Sequence, residues 1–173
     1  MNIVLVEPEI PQNTGNIART CAALAAELHL VHPLGFSVDD RSLRRAGLDY
    51  WHLLTVHHYD SLDHFLRQRA GSPLVLFSSR GTVPYTDVAY GHSTYLVFGG
   101  ETAGLPADLF GANLGPVVRI PTVSEARCLN LSNAVAVAAY EAARQSGFVS
   151  LELTRPDGSL RSERYFDRRQ SDD

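Results

Sequence analysis

The sequence predicts an α/β domain built on a mainly parallel sheet with helices on both faces. Three observations carry this reading. Strand-like runs recur at Ile3 to Val6, Leu28 to His32, Leu74 to Ser78, Tyr95 to Phe98 and Val117 to Ile120. Helical periodicity fills most of the intervals between them, and Gly, Pro and small polar residues mark the joins. Strands that alternate with helices need crossover connections, and those produce parallel pairing.

Taken in order, the first strand is followed by a helix expected from Gly15 to Glu27, capped by Asn13 or Thr14. Ile17, Cys21, Leu24 and Leu28 then share one face. After the second strand, Pro33 to Gly47 reads as a loop. The segment Ser61 to Ala70 sets Leu62, Phe65 and Leu66 on one side of a helix that Gly71 ends. Gly81 to Ser93 is a second loop, and Pro106 opens a short helix. Leu131 to Ser146 is apolar nearly all round, through Ala134-Val135-Ala136-Val137-Ala138-Ala139, which predicts burial on more than one side before Gly147 stops it. From Thr154 the chain turns charged. The expected organisation is one domain over residues 1–150 and a charged tail over 151–173.

Composition narrows the function. A chain of 173 residues is long enough for one well-formed core. Its 45% hydrophobic and 20% charged residues are ordinary for a globular protein, and no apolar run is long enough to span a bilayer. The first residues, Asn2-Ile3-Val4-Leu5-Val6, read as a strand rather than a secretion signal, so a cytoplasmic protein is expected. Cys21 and Cys128 have no metal-ligand or redox spacing, and no metal is expected. The net charge of −4 argues against a protein that coats nucleic acid non-specifically, so any RNA contact must be local. All 15 basic residues are Arg, which excludes P-loop, Schiff-base and kinase lysines.

Three stretches carry unusual residues. The first, EPEIPQNTGNIART (7–20), runs from a loop into a helix; capping explains its Asn, Thr and Gly, but not Arg19 one turn in. The second, LVFGGETAGLP (96–106), is a strand ending in Gly-Gly, which is either a structural turn or a loop whose backbone approaches a ligand, with Glu101 beside it. The third, RIPTVSEARCLNLSNAVAVAAYEAARQSG (119–147), sets Asn130, Ser132 and Asn133 at one helix start, more polar residues than capping requires.

In this order and spacing, and with PLGFSVDDRSLRRAGLDYWH (33–52) between the first two, these stretches resemble the three motifs of the SPOUT methyltransferases, specifically the TrmH family and its YibK-like branch. The likeness covers about residues 1–148. It implies a C-terminal deep trefoil knot, an exception to the rule against knotted chains. It also implies a homodimer that uses S-adenosyl-L-methionine (AdoMet) to methylate a ribose 2'-hydroxyl at the wobble nucleotide, cytidine or modified uridine, in the anticodon loop of a tRNA.

By residue, the resemblance implies that Phe77, Gly99, Gly104, Leu105, Ile120, Cys128, Leu129 and Ser132 hold AdoMet. Arg19, Asn13, Glu101 and Asn133 surround the reacting groups. Arg19, which dimers of the family bring to the partner's cofactor pocket, is either the base or, being protonated at neutral pH, the group that orients the hydroxyl and its phosphate. Arg41, Arg44 and Arg45 are either a solvated face or a phosphate contact on the RNA. Two positions depart from the family: Cys128 replaces a common Ser, and Ala103 a common Arg. The apolar last helix is the candidate dimer interface. The alternatives are a catalytically idle AdoMet- or RNA-binding module and methylation at another RNA site. A covalent base methyltransferase using Cys128 needs an activated thiol, and a dinucleotide-binding dehydrogenase needs a GxGxxG that the chain lacks. The seven His residues read as structural or exposed, and Trp51 and Tyr140 as core aromatics.

Overall fold

The computed structural model describes residues 1–37, 53–125, 128–148 and 151. Arg41, Arg44, Arg45, Trp51 and nearly all of the tail lie outside the described residues. Seven strands form one sheet: β1 (Asn2–Val6), β2 (Glu27–Val31), β3 (Val56–Tyr59), β4 (Leu74–Phe77), β5 (Val83–Pro84), β6 (Tyr95–Gly99) and β7 (Val117–Arg119). Their order is β3-β2-β1-β6-β4-β7-β5, and every pairing is parallel. The helices are α1 (Pro11–Leu24), α2 (Leu62–Gln68), α3 (Asp108–Gly111) and α4 (Leu131–Gln145).

The period-2 alternation of the strands divides the core. Ile3, Leu5, Leu28, Leu30, Leu96 and Phe98 face α1 and α4, whose Ile17, Cys21, Val135 and Ala139 complete that layer. Val4, Val6, Leu76 and Val97 face the other way, against Phe65 of α2 and Leu109 of α3. The central β4 and β6 are buried throughout, because helices cover both faces of the sheet. No described helix is long and apolar enough to cross a membrane.

Two strands were not anticipated. β3 reads Val-His-His-Tyr, without an apolar alternation, and β5 is only two residues long inside a Gly- and Pro-rich loop. The first helix starts earlier than expected, at Pro11, whose fixed φ and missing N–H suit the first helical position; Ile10 precedes it without a side-chain cap. Asn13 and Thr14 are therefore buried in the first turn rather than capping it. Ser61 and Asn130 do cap their helices, accepting from the N–H of His64 at 3.2 Å and of Ser132 at 2.9 Å.

α4 corrects a further expectation. It buries Val135, Ala138, Ala139 and Ala142 but leaves Val137 37% and Tyr140 49% exposed, so within one chain it is covered on one side only. Tyr140 is accordingly not a core aromatic. α1 packs beside α4 on the same face of the sheet and turns Asn16, Arg19 and Ala23 outward.

Candidate functional site

The loops leaving the C-terminal ends of β1, β6, β4 and β7, four neighbours in the sheet, meet the start of α4 around one cavity of about 720 Å³. Such strand ends are where open parallel sheets take ligands, since the loops diverge there and backbone groups point outward. Phe77 and Phe98, paired across β4 and β6, stack with centroids 4.6 Å apart and form part of the cavity wall.

One wall is a chain of hydrogen bonds between residues far apart in sequence. Glu101 accepts from the Glu9 N–H through Oε2 and from Asn13 Nδ2 through Oε1, both at 2.8 Å. The Oδ1 of Asn13 accepts from Asn130 Nδ2 at 3.0 Å. Asn130 Oδ1 accepts in turn from the N–H and hydroxyl of Ser132, at 2.9 and 2.7 Å. The Glu9 carboxylate closes the loop by accepting the Thr102 N–H at 3.2 Å and its hydroxyl at 2.5 Å, contacts that hold Glu9 below the usual carboxylate range. Both amide orientations are thereby set, and Asn13 keeps one Nδ2 hydrogen beyond the bond to Glu101.

The Gly-Gly loop is a steric necessity. A Cβ on Gly99 would sit 2.0 Å from the Gly104 carbonyl carbon, and Gly104 itself has φ +69° with open space where its side chain would be. Across the cavity, the Thr122 hydroxyl is buried with no hydrogen-bond partner among the described residues. A buried unpaired hydroxyl is costly, and a ligand acceptor or donor at that point would relieve it.

Residues 1–140 match the model of the SpoU rRNA Methylase family. The chain belongs to that family. Within it, the chain is 49% identical over 148 residues to the tRNA (cytidine(34)-2'-O)-methyltransferase of Saccharophagus degradans, covering 85% of this chain and 96% of that one. A solved structure concerned with 2-OH methylation of C/U34 on tRNA superposes with TM-score 0.80 at 44% identity, covering 84% of this chain and 95% of that one. An AdoMet-bound rRNA methyltransferase from Sinorhizobium meliloti gives TM-score 0.75 at 29% identity, over 83% of this chain and 55% of that one.

Of the SpoU residues expected from sequence, Asn13 and Glu101 line the cavity, as do Phe77, Gly99, Gly104, Leu105, Ile120, Cys128 and Leu129. Three lie elsewhere. Ser132 is buried with both its donors turned to Asn130, whereas Arg19 and Asn133 stand on the outward sides of α1 and α4. Sequence reasoning left out Glu9, Arg80, Arg119 and Thr122, and singled out Asn130 without giving it a role. Asn130 had a visible signal, one polar residue too many at a helix start. Glu9 and Thr122 had none, because their importance lies in partners 93 residues away or in a missing partner.

A second polar cluster lies at the β2–β3 edge, where Glu27, His29 and His57 bring ligand-type atoms within 4.8 Å of one another. Arg69 Nε and Nη2 both donate to the Tyr59 oxygen, at 3.0 and 2.9 Å. The Tyr59 O–H is left to donate to His29 Nδ1 at 2.9 Å, so the His29 proton sits on Nε2, facing Asn2 Oδ1 at 3.3 Å. His29 therefore presents an N–H, not a lone pair, on that side.

Proposed function

We propose that this chain is an AdoMet-dependent tRNA 2'-O-methyltransferase acting on the wobble nucleotide, cytidine or modified uridine 34. The observation that carries the reading is the Glu101–Asn13–Asn130 network closing a cavity at the strand ends of a chain that shares 49% identity with a tRNA (cytidine(34)-2'-O)-methyltransferase. The cavity suits AdoMet. Its volume of about 720 Å³ falls in the range of nucleoside-sized sites, Leu105, Ile120 and Leu129 offer apolar surface for a purine, and Thr122 offers an unpaired hydroxyl. Phe77, Gly99, Gly104 and Cys128 would complete the holding set. At Cys128 a backbone contact is indifferent to the thiol. Bound AdoMet supplies a sulfonium methyl group to an oxygen nucleophile.

The chain's own part is alignment. Glu101 accepts from both the Glu9 N–H and Asn13 and so anchors Asn13, and the remaining Nδ2 hydrogen of Asn13 is available to fix the ribose. Arg19 and Asn133 complete the site from a second subunit: their outward positions, beside the exposed Val137 and Tyr140, fit a homodimer in which α1 and α4 of one protomer cover the cavity of its partner. Arg19, always charged, then orients the 2'-hydroxyl and its phosphate. Ser132 acts through Asn130. The same reading includes a single domain over 1–150 with a tail over 151–173, a trefoil knot in the segment leading into α4, RNA contact by Arg41, Arg44 and Arg45, and a cytoplasmic location beside its substrate.

The test is incubation with methyl-labelled AdoMet and tRNA lacking wobble modification. Label should appear as a 2'-O-methyl group on nucleotide 34, and Arg19→Ala should lose transfer while its calorimetric AdoMet affinity stays within about twofold. AdoMet binding without transfer to any tRNA would leave the idle binding module instead.

A further inference from the structure

Two cations at the cavity are not absorbed by the reading above. Arg80 leaves β4 in the tight turn Ser78–Gly81, where its N–H donates to Ser78 Oγ at 3.1 Å and the Gly81 N–H to the Ser78 carbonyl at 3.1 Å. The turn is pressed against β7: a Cβ on Gly81 would lie 2.5 Å from the Val118 carbonyl carbon and 2.9 Å from the Arg119 nitrogen. The β4 and β7 ends therefore bring Arg80 and Arg119 onto the same side of the cavity, which both line. The Arg80 guanidinium carbon lies over the Phe110 ring, 5.5 Å from its centroid, a cation–π contact that uses none of the N–H donors in a hydrogen bond. Neither guanidinium has a hydrogen-bond or ion-pair partner among the described residues. Among the described residues the only carboxylate lining the cavity is Glu101, each of whose oxygens already accepts a hydrogen bond, from the Glu9 N–H and from Asn13. In a chain of net charge −4, this is a local excess of positive charge at a cavity mouth.

We propose that Arg80 and Arg119 form a phosphate-binding subsite that holds the RNA backbone next to the nucleotide being methylated. The proposal rests on the RNA-methyltransferase reading and adds to it the anchor that sets the target nucleotide's depth. Arg80 is exposed and Arg119 half-buried, which assigns the anion to the arriving RNA rather than to the carboxylate of the cofactor's methionine portion. A stacked planar fork suits bidentate contact with a phosphate.

The experiment compares wild type, Arg80→Ala, Arg80→Lys and Arg119→Ala, with Arg67→Ala on α2, outside the cavity lining, as a control for net charge. Binding of a fluorescent anticodon stem-loop is followed by anisotropy across a salt series, and AdoMet affinity by calorimetry. Arg80→Ala and Arg119→Ala should each weaken RNA binding about tenfold and reduce the salt slope by about one, leaving AdoMet affinity within about twofold. Arg80→Lys should recover only part of the loss, and Arg67→Ala should match wild type. Unchanged RNA affinity in both alanine variants overturns the subsite, and so does loss of AdoMet affinity alone, which would place the cations on the cofactor's carboxylate. Because this readout is binding, it separates the two readings: wild type that binds the stem-loop without methylating it refutes the reaction, while the Arg80 result still decides the subsite.

Discussion

Acidification should weaken this fold through one residue more than through any other described histidine. His29 is fully buried on β2, receives the Tyr59 O–H on Nδ1 and is stacked on His57 with centroids 4.5 Å apart. Burial, then the neighbouring His57, pushes its pKa down from 6.5 to about 3. Between those values the unfolded chain binds the proton and the folded chain does not, so this contribution is whole above pH 6.5 and is lost as pH falls toward 3. At about pH 5 the loss from this group is about 2 kcal/mol, from 1.4 kcal/mol per unit over the 1.5 units below the unfolded value. With a urea slope of about 2 kcal/mol/M, the unfolding midpoint should fall by about 1 M more in wild type than in His29→Gln between about pH 7.5 and 5. The variant starts less stable, having lost the Tyr59 and Asn2 contacts, so the quantity read is the difference between the two shifts, at one protein concentration. Equal shifts would refute the buried neutral imidazole and the proton assignment built on it.

Two further outcomes follow from the geometry. Thr122→Val removes an unpaired buried hydroxyl at nearly constant volume, so the ligand-free protein should gain about 1 kcal/mol in urea unfolding while AdoMet affinity falls several-fold by calorimetry; a loss on both measurements would mean that the hydroxyl has a partner already. Wild type should sediment as a dimer and Val137→Asp as a monomer with little methyl transfer, because an aspartate on the exposed apolar stripe of α4 could enter an interface only by losing its hydration; a monomeric wild type would end the shared-site arrangement.

The sheet was legible where apolar residues dominate: the five apolar strands and the helix of Leu131 lie within a residue or two of their expected positions. It was not legible in β3, where His29↔His57 pairing and the Tyr59–Arg69 contacts, rather than apolar alternation, hold the edge. Motif order brought nine expected residues to one cavity, because each motif sits at a strand end or helix start that parallel topology gathers on one side. Asn133 lies outside it on the outward side of α4, and Arg19 also faces outward from α1, where the resemblance has it serve a partner's pocket. The apolar residues on the exposed side of α4 mark burial without saying by which chain.

The polar wall joins residues 9, 13, 101, 130 and 132, so it spans three quarters of the polypeptide. During synthesis, a nascent chain that has released only its first hundred residues from the ribosome already holds β1, α1 and Asn13, but not Glu101 or Asn130, the two partners of the Asn13 amide. Completion of the wall waits for α4 to dock, and contacts of such high sequence separation form late in folding. A prematurely terminated product ending before Asn130 would therefore lack the closed wall and leave the apolar face of the sheet that α4 covers open to solvent.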